Sequence, residues 1–283
     1  MIGYWPNPAL PRIYQEKQFW RKLFDRNPDF TTMAGKLETK ALLAARVPEL
    51  TQVPTLWRGA SPADLPDSLF AQDFMLKANA GSSTNLLVKG GSLSRDALVR
   101  RWQRWQRSTR RRARNEWGYR NAPQMVFAEP VLTLGGGDLP TDIKVYVSGG
   151  LAVCTWAADK LRHRSTTYDE TAAPLPERGS QHPDEAQALP SNPETIALIR
   201  QAMALAPRAA GDIDLIRVDF LVAEGRLLAG ELTVYPDGGY DRIANRRSEA
   251  MINDNWDLRR SHFMRSPHRG FARLYADALR RNL

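Results

Sequence analysis

The stretch Leu215-Ile216-Arg217-Val218-Asp219-Phe220-Leu221-Val222-Ala223-Glu224-Gly225-Arg226-Leu227-Leu228-Ala229-Gly230-Glu231-Leu232-Thr233-Val234 decides the fold. Two apolar runs around Glu224-Gly225 predict two strands, Leu215–Ala223 and 227–234, joined by a hairpin turn. Side chains alternate along a strand, so Arg217 and Asp219 share one face, and Glu231 and Thr233 likewise. Antiparallel pairing can bring the two faces together. Carboxylates inside apolar strands are costly unless paired or metal-bound. Two readings stand at this point. Asp219 and Glu231 hold a hard cation such as Mg²⁺ through oxygen, or Arg217 pairs with Asp219 or Glu231 as a structural ion pair.

Upstream lies a second hairpin. Phe70-Ala71-Gln72-Asp73-Phe74-Met75-Leu76-Lys77 and Leu86-Leu87-Val88-Lys89 predict strands around a loop of small residues. Gly81, Ser82, Ser83 and Thr84 in that loop let backbone N–H groups approach an anion closely, and Lys77 adds positive charge. The Gly-Lys-Ser/Thr ending of a Walker loop is missing, and a plain exposed hairpin tip is the other reading. Further strands are predicted at 125–129 and 143–147, flanking Gly135-Gly136-Gly137, and around Cys154. A short strand is predicted at 54–57. Helices are predicted from about residue 12 to Asn27-Pro28 and at 31–47, 94–108 and 194–206, with another near the C-terminus. Residues 170–193, rich in Pro, Glu, Gln and Ser, read as a mobile loop. Several hairpins mixed with helices argue for α+β rather than a doubly wound parallel sheet.

The 283 residues can bury a sizeable core, and 42% hydrophobic with 25% charged residues excludes a disordered chain. No apolar run approaches the ~18–20 residues of a membrane-spanning helix, and the first residues do not read as a secretory signal. One cysteine, Cys154, excludes a disulfide-built domain and reads as a buried small hydrophobe. His163, His182, His262 and His268 show no zinc-site spacing. The net charge of +9, carried mostly by arginine, implies anionic partners. Arg110-Arg111-Arg112-Ala113-Arg114 near Trp102, Trp105 and Trp117 could bind nucleic acid or lie on an anionic membrane. A helix with a tryptophan core face and a solvated arginine face is the favoured reading, with arginines recruited to an anionic substrate second.

The order of these pieces resembles the ATP-grasp superfamily, and more closely the TupA-like (teichuronopeptide biosynthesis) ATP-grasp family. The shared stretches are Gln15-Glu16-Lys17, Trp20-Arg21-Lys22-Leu23-Phe24-Asp25-Arg26-Asn27-Pro28 and Phe30-Thr31-Thr32. They continue with Phe74-Met75-Leu76-Lys77-Ala78-Asn79-Ala80-Gly81-Ser82, Glu116-Trp117-Gly118-Tyr119-Arg120-Asn121 and Asp138-Leu139-Pro140. They end with Arg217-Val218-Asp219 and Gly230-Glu231-Leu232-Thr233-Val234-Tyr235-Pro236. The resemblance implies an α+β ATP-grasp fold: two subdomains gripping ATP, with a short N-terminal helical segment over 1–68, a lid subdomain over 69–130 and a large subdomain over 131–283. About 30 residues precede the first lysine segment, too few for the Rossmann-like domain that many ATP-grasp ligases carry there.

Residue roles follow from the same resemblance. Lys40 and Lys77 reach the nucleotide phosphates, and Gly81, Ser82, Ser83 and Thr84 form the lid over them. Glu129, with Val131 just beyond it, marks the hinge that holds adenine, and Asp142 receives the ribose hydroxyls, with Lys144 nearby. Asp219 and Glu231 match the metal-bridging carboxylates. Thr233 stands where many relatives have asparagine. Arg217 matches the arginine beside the reacting acyl phosphate. Arg162, His163 and Arg164 are candidates for the substrate carboxylate, against the alternative of a solvated turn. The implied activity is an ATP- and Mg²⁺-dependent carboxylate–amine ligase, acting in the cytoplasm on a small-molecule or polymer-linked acid and an amine for cell-surface polymer synthesis. A kinase-like phosphotransferase and a basic nucleic-acid or membrane-surface protein are the alternatives.

Overall fold

The computed structural model describes residues 4–176, 187–239 and 246–283. Along the chain run helices α1 (Tyr14–Phe24), α2 (Asp29–Ala34) and α3 (Lys36–Arg46), strand β1 (Trp57–Gly59), helix α4 (Asp67–Phe70), strands β2 (Phe74–Ala78) and β3 (Asn85–Val88), and helix α5 (Arg95–Arg112). Strands β4 (Val126–Glu129), β5 (Asp142–Ser148), β6 (Leu151–Asp159) and β7 (Arg164–Tyr168) follow, then helix α6 (Pro193–Ala210) and strands β8 (Leu215–Ala223) and β9 (Arg226–Thr233). Helices α7 (Arg246–Asn255), α8 (His262–Arg265) and α9 (Gly270–Arg280) close the described chain.

The chain divides into two compact units, Met1–Asn27 with Leu134–Leu283, and Pro28–Thr133. The expected N-terminal segment over 1–68 is therefore shared out. Helix α1 folds with the first unit, and α2, α3 and β1 fold with the second.

The first unit is built on a five-stranded antiparallel sheet in the order β7-β6-β5-β8-β9. One face carries Ile143, Val145, Val147, Val218, Phe220 and Val222, all buried. Helix α6 packs on this sheet through its buried side, which includes Ile199, Ala202 and Ala206. On the other face, Tyr146 and Cys154 join a core with Tyr14 and Trp20 of α1, Ile252 of α7, Trp256 and Phe263. Burial pushes the Cys154 thiol up to about 12, in keeping with a small hydrophobe rather than a nucleophile.

Helix α1 buries its charged residues along with its aromatic ones. The Arg21 guanidinium, with no exposed surface, pairs with Asp214 at 2.6 Å. It also donates to the carbonyls of Leu215 at 2.8 Å and Val234 at 3.0 Å. Trp256 donates to the second Asp214 oxygen at 2.6 Å and lies under the Arg21 guanidinium. Lys17 donates to the carbonyls of Asn253 and Trp256 at the end of α7. Asp25 accepts the Phe263 N–H at 3.0 Å through one oxygen, while its other oxygen is buried without a hydrogen-bond partner among the described residues. Burial, together with the Asp214 charge, pushes the Asp25 carboxyl up to about 7.

The second unit holds a four-stranded antiparallel sheet in the order β1-β4-β2-β3. Leu98, Trp102 and Trp105 of α5 pack into its core with Phe74, Leu76 and Val126. Six of the eight α5 arginines are exposed on its other side, in line with the favoured sequence reading, while Arg95 and Arg112 are half-buried and paired with Asp67 and Glu116. The helix expected over 31–47 is two helices. Gly35 breaks it in an extended conformation, bridged to Ala80. Asn79 then takes over the start of α3, its carbonyl accepting the Lys36 N–H and its side-chain oxygen the Leu37 N–H, both at 2.8 Å. The short strand begins at Trp57 rather than Pro54, because proline has no N–H for the ladder. Of the expected loop over 170–193, residues 177–186 lie outside the described residues. The described flanks are packed: Leu175 donates to the Thr167 carbonyl, and Leu189 is buried.

Two outcomes are expected. Arg21→Ala should cost about 3–5 kcal/mol, because it leaves Asp214 buried without its partner; chemical denaturation reads this, and a loss under about 1 kcal/mol would contradict it. The folded Asp25 carboxyl keeps its proton between about pH 4 and 7, where the unfolded one releases it, so its contribution to stability falls as pH rises through that window. The stability of Asp25→Asn relative to wild type should therefore grow across that window and level off above it.

Candidate functional site

In the second unit, three charged side chains meet. Glu129 ends β4 with a side chain only 2% exposed. Its two oxygens receive Lys40 of α3 and Lys77 of β2, the latter at 2.5 Å. Register explains the meeting. Met75 lies opposite Glu129 and Lys77 opposite Phe127, so Lys77 and Glu129 are diagonal neighbours on one face. Lys40 reaches the same carboxylate because Asn79 fixes the start of its helix one turn earlier.

The two lysines differ in what they have left to give. An ammonium has three donors. Lys40 directs its donors to Glu129, the Val53 carbonyl and the Thr55 hydroxyl. Lys77 has Glu129 as its partner among the described residues, and its side chain is 21% exposed. Both lysines expected at phosphates are thus brought together, and Lys77 alone keeps donors to spare.

The expected hairpin is present, with β2 and β3 paired antiparallel. Its loop is fixed at the base and exposed at the tip. Lys36 donates to the Gly81 carbonyl at 2.6 Å, Thr84 donates to the same oxygen at 3.1 Å, and Thr109 of α5 donates to the Ala80 carbonyl at 3.1 Å. Gly81 sits at φ 122°, where a Cβ would come within 2.7 Å of the Thr109 hydroxyl, so both backbone and space call for glycine. Ser82 and Ser83 are exposed. Val131, beyond Glu129, is 45% exposed.

In the first unit, register assembles a polar patch on the sheet face opposite α6. One row runs Trp156, Lys144, Asp219 and Glu231 across β6, β5, β8 and β9. The next runs Cys154, Tyr146, Arg217 and Thr233. Asp142 follows Lys144 on the same face. Its carboxylate accepts from Lys160 at 2.7 Å and from the Thr141 hydroxyl at 2.8 Å.

Asp219 takes a two-pronged ion pair from Arg217, Nε to Oδ1 at 2.7 Å and Nη2 to Oδ2 at 2.8 Å. The structural ion pair weighed from sequence is therefore present. Arg217 also lies 3.6 Å from Asp237. Burial opposes its charge, yet the Asp219 carboxylate beside it raises its pKa well above the ordinary value. Burial and the neighbouring Arg217 lower Lys144, whose ammonium sits 4.9 Å from the Trp156 ring centre. Glu231 is half-buried and accepts from the Thr233 hydroxyl at 3.4 Å.

The donor set fits a hard cation. Two carboxylates stand directly opposite each other across β8 and β9, with a hydroxyl beside Glu231. Each Asp219 oxygen, though engaged by Arg217, keeps further lone pairs. No group of three or more His, Cys, Asp or Glu gathers among the described residues, so such a cation would need oxygens from its ligand as well, as Mg²⁺ commonly does. Gly230 makes the arrangement possible. It is the extra residue of a bulge, since Asp219 pairs with Glu231 but Phe220 with Ala229, and a Cβ there would meet the Asp219 carbonyl at 2.3 Å.

Arg162, His163 and Arg164 lie at the β6–β7 turn. Arg162 pairs with Asp159 at 2.8 Å and Arg164 with Asp138 at 2.7 Å. His163 has φ 53°. Each arginine thus already has a carboxylate of its own, which matches the solvated-turn alternative. Sequence reading passed over Lys36, Asn79, Thr109, Tyr146 and Asp237. Only the Lys36–Lys40 spacing of one helical turn carried a signal.

The TupA-like ATP-grasp family model matches residues 16–256. The chain belongs to the TupA-like ATP-grasp family, and its two antiparallel sheets with their helices are an ATP-grasp fold. Among solved structures, ATP-grasp ligase PsnB complexed with minimal precursor is 14% identical over 90% of this chain and 62% of its own, with a TM-score of 0.43. D-alanine–D-alanine ligase from Helicobacter pylori is 14% identical over 80% of this chain and 61% of its own, with a TM-score of 0.46. The Bacillus anthracis enzyme of that name is 15% identical over 81% and 68%, with a TM-score of 0.42. The chain thus spans less than two thirds of the PsnB and Helicobacter pylori chains. No curated protein matches it.

Glu129→Gln should cost about 3 kcal/mol, because it leaves two lysines facing a neutral amide. Denaturant titration measures this, and an unchanged midpoint would mean that the lysines relax into solvent without loss.

Proposed function

We propose that the protein is an ATP- and Mg²⁺-dependent carboxylate–amine ligase that forms an amide through an acyl phosphate. The observation that carries this reading is the pairing of Asp219 with Glu231 across β8 and β9, with Arg217 held beside them, in a chain of the ATP-grasp family. Mg²⁺ on these carboxylates would neutralise phosphate charge, which is most of what phosphoryl transfer asks of a protein.

The chain's own groups divide the remaining work. Lys77, with donors to spare, holds phosphate oxygens, while Lys40 and Glu129 position it. Backbone N–H groups and the hydroxyls of Ser82 and Ser83 cover the phosphates and exclude water that would hydrolyse the activated acid. The backbone after Glu129, toward Val131, receives the adenine edge, and Asp142 the ribose hydroxyls, with Lys144 adding charge nearby. Arg217 is kept charged by Asp219, so it is ready to stabilise the oxyanion formed when the amine attacks. No side-chain nucleophile is needed, which suits a chain whose one thiol is buried. The acid and the amine belong to cell-surface polymer synthesis in this reading, and the work is done in the cytoplasm. Among the described residues no helix is long and apolar enough to cross a membrane.

Thermal unfolding with and without an ATP analogue and Mg²⁺ tests the proposal. At roughly 100 times its Kd the nucleotide should stabilise the fold by ~2.7 kcal/mol. Glu231→Gln should keep the unliganded midpoint, because Glu231 has no cation partner among the described residues, yet lose the Mg²⁺-dependent part of the shift and ADP release. Full Mg²⁺-dependent turnover in that variant would remove the metal assignment.

A further inference from the structure

Helix α5 carries a feature that the nucleotide reading does not use. Its inner side buries Leu98, Trp102, Trp105 and Thr109. On the opposite side Arg100, Arg104, Arg107 and Arg111 fall at helical spacing along one ridge, flanked by Arg101 and Arg110. All six are exposed, and none of their side chains makes a hydrogen bond or ion pair among the described residues. Within the helix Asp96 is the lone acid, near the start. Like charges four residues apart destabilise a helix, so folding alone gives no reason for Arg100 above Arg104 or Arg107 above Arg111.

We propose that this arginine ridge of α5 binds an extended acidic polypeptide segment. From Arg100 to Arg111 the ridge runs ~16 Å along the helix axis. Neighbouring arginines on it stand ~5–6 Å apart. An extended peptide presents side chains on one face every ~6.8 Å, a mismatch the long arginine side chains absorb. The guanidinium fork meets a carboxylate through two parallel bonds, so a row of forks suits a row of Glu or Asp.

Other polyanions fit this face less well. Single-stranded nucleic acid gains much of its affinity from bases stacked on aromatic rings, and the tryptophans of α5 point into the core. An amphipathic helix on a membrane buries apolar side chains among lipids, and no large hydrophobic residue of α5 is exposed. On the inner side of the helix, at the turn that carries Arg107 and Arg111 outward, Thr109 binds the Ala80 carbonyl at the base of the glycine–serine loop, so the helix that carries the ridge also anchors that loop. Service of a ridge-bound peptide as the acid or amine substrate rests on the ligase reading.

The test is fluorescence anisotropy with a fluorescein-labelled all-glutamate peptide on the full chain, at low and physiological salt. The peptide should bind in a salt-dependent manner. The variant Arg100→Gln, Arg104→Gln, Arg107→Gln and Arg111→Gln should bind at least tenfold more weakly with a thermal midpoint no lower than wild type. The double variant Arg104→Gln with Arg107→Gln should lose a smaller part, and serves if the fourfold one unfolds. The same charge removed at Arg269, Arg273, Arg280 and Arg281 should leave binding near wild type. Unchanged affinity in the ridge variants would overturn the proposal. So would an equal loss in the C-terminal variant, or tighter binding of an oligothymidylate or of phosphatidylglycerol vesicles than of the peptide. A wild type that binds the peptide but shows no Mg²⁺–ATP shift would support the ridge and count against the ligase reading alone.

Discussion

The first unit is organised by the buried Arg21 guanidinium. It ties helix α1 to Asp214, to the first carbonyl of β8 and to the carbonyl that follows β9. Two residues into β8 comes Arg217, and the last residue of β9 is Thr233. The same cation thus fixes the two strand ends next to the polar patch. A buried charge tolerates little displacement, because any movement exposes an unpaired Asp214 or an unpaired guanidinium to a low-dielectric interior. The shared stretch Trp20–Pro28 gains a physical meaning here, as the clamp on the strands that carry Arg217 and Asp219.

The two charged clusters are built in contrasting ways. In the second unit, one buried carboxylate gathers two lysines, and the surplus positive charge faces outward through Lys77. In the first, Asp142, Asp219 and Glu231 share a face with Lys144 and Arg217, and Lys160 pairs with Asp142, so opposite charges nearly balance. Each cluster is made by sheet register, with a neighbouring helix contributing Lys40 in one case and a bulge at Gly230 in the other.

Much of this was legible in the sequence. Alternation along Leu215–Ala223 and its partner strand assigned Arg217, Asp219, Glu231 and Thr233 to common faces, and the register pairs Asp219 with Glu231 and Arg217 with Thr233. The hairpin with its Gly81–Ser82–Ser83–Thr84 loop, the burial of Cys154 and the core face of α5 could be read from spacing and small residues. The missed features depend on partners distant in sequence. That Glu129 holds Lys40 and Lys77 by its side chain follows from strand register over fifty residues. The break at Gly35 follows from Asn79 capping the next helix, an interaction invisible to local periodicity. The division of the N-terminal segment between two units follows from Arg21 finding Asp214, almost two hundred positions away.

The seclusion of Cys154 has a practical side. The thiol is 2% exposed and burial pushes its pKa up to about 12, so it stays protonated and unreactive at neutral pH. The chain is thereby a natural blank for thiol chemistry. A spectroscopic reporter attached through a cysteine introduced at an exposed position, such as Ser82 in the glycine–serine loop, would report on that position alone, with the native residue left in place.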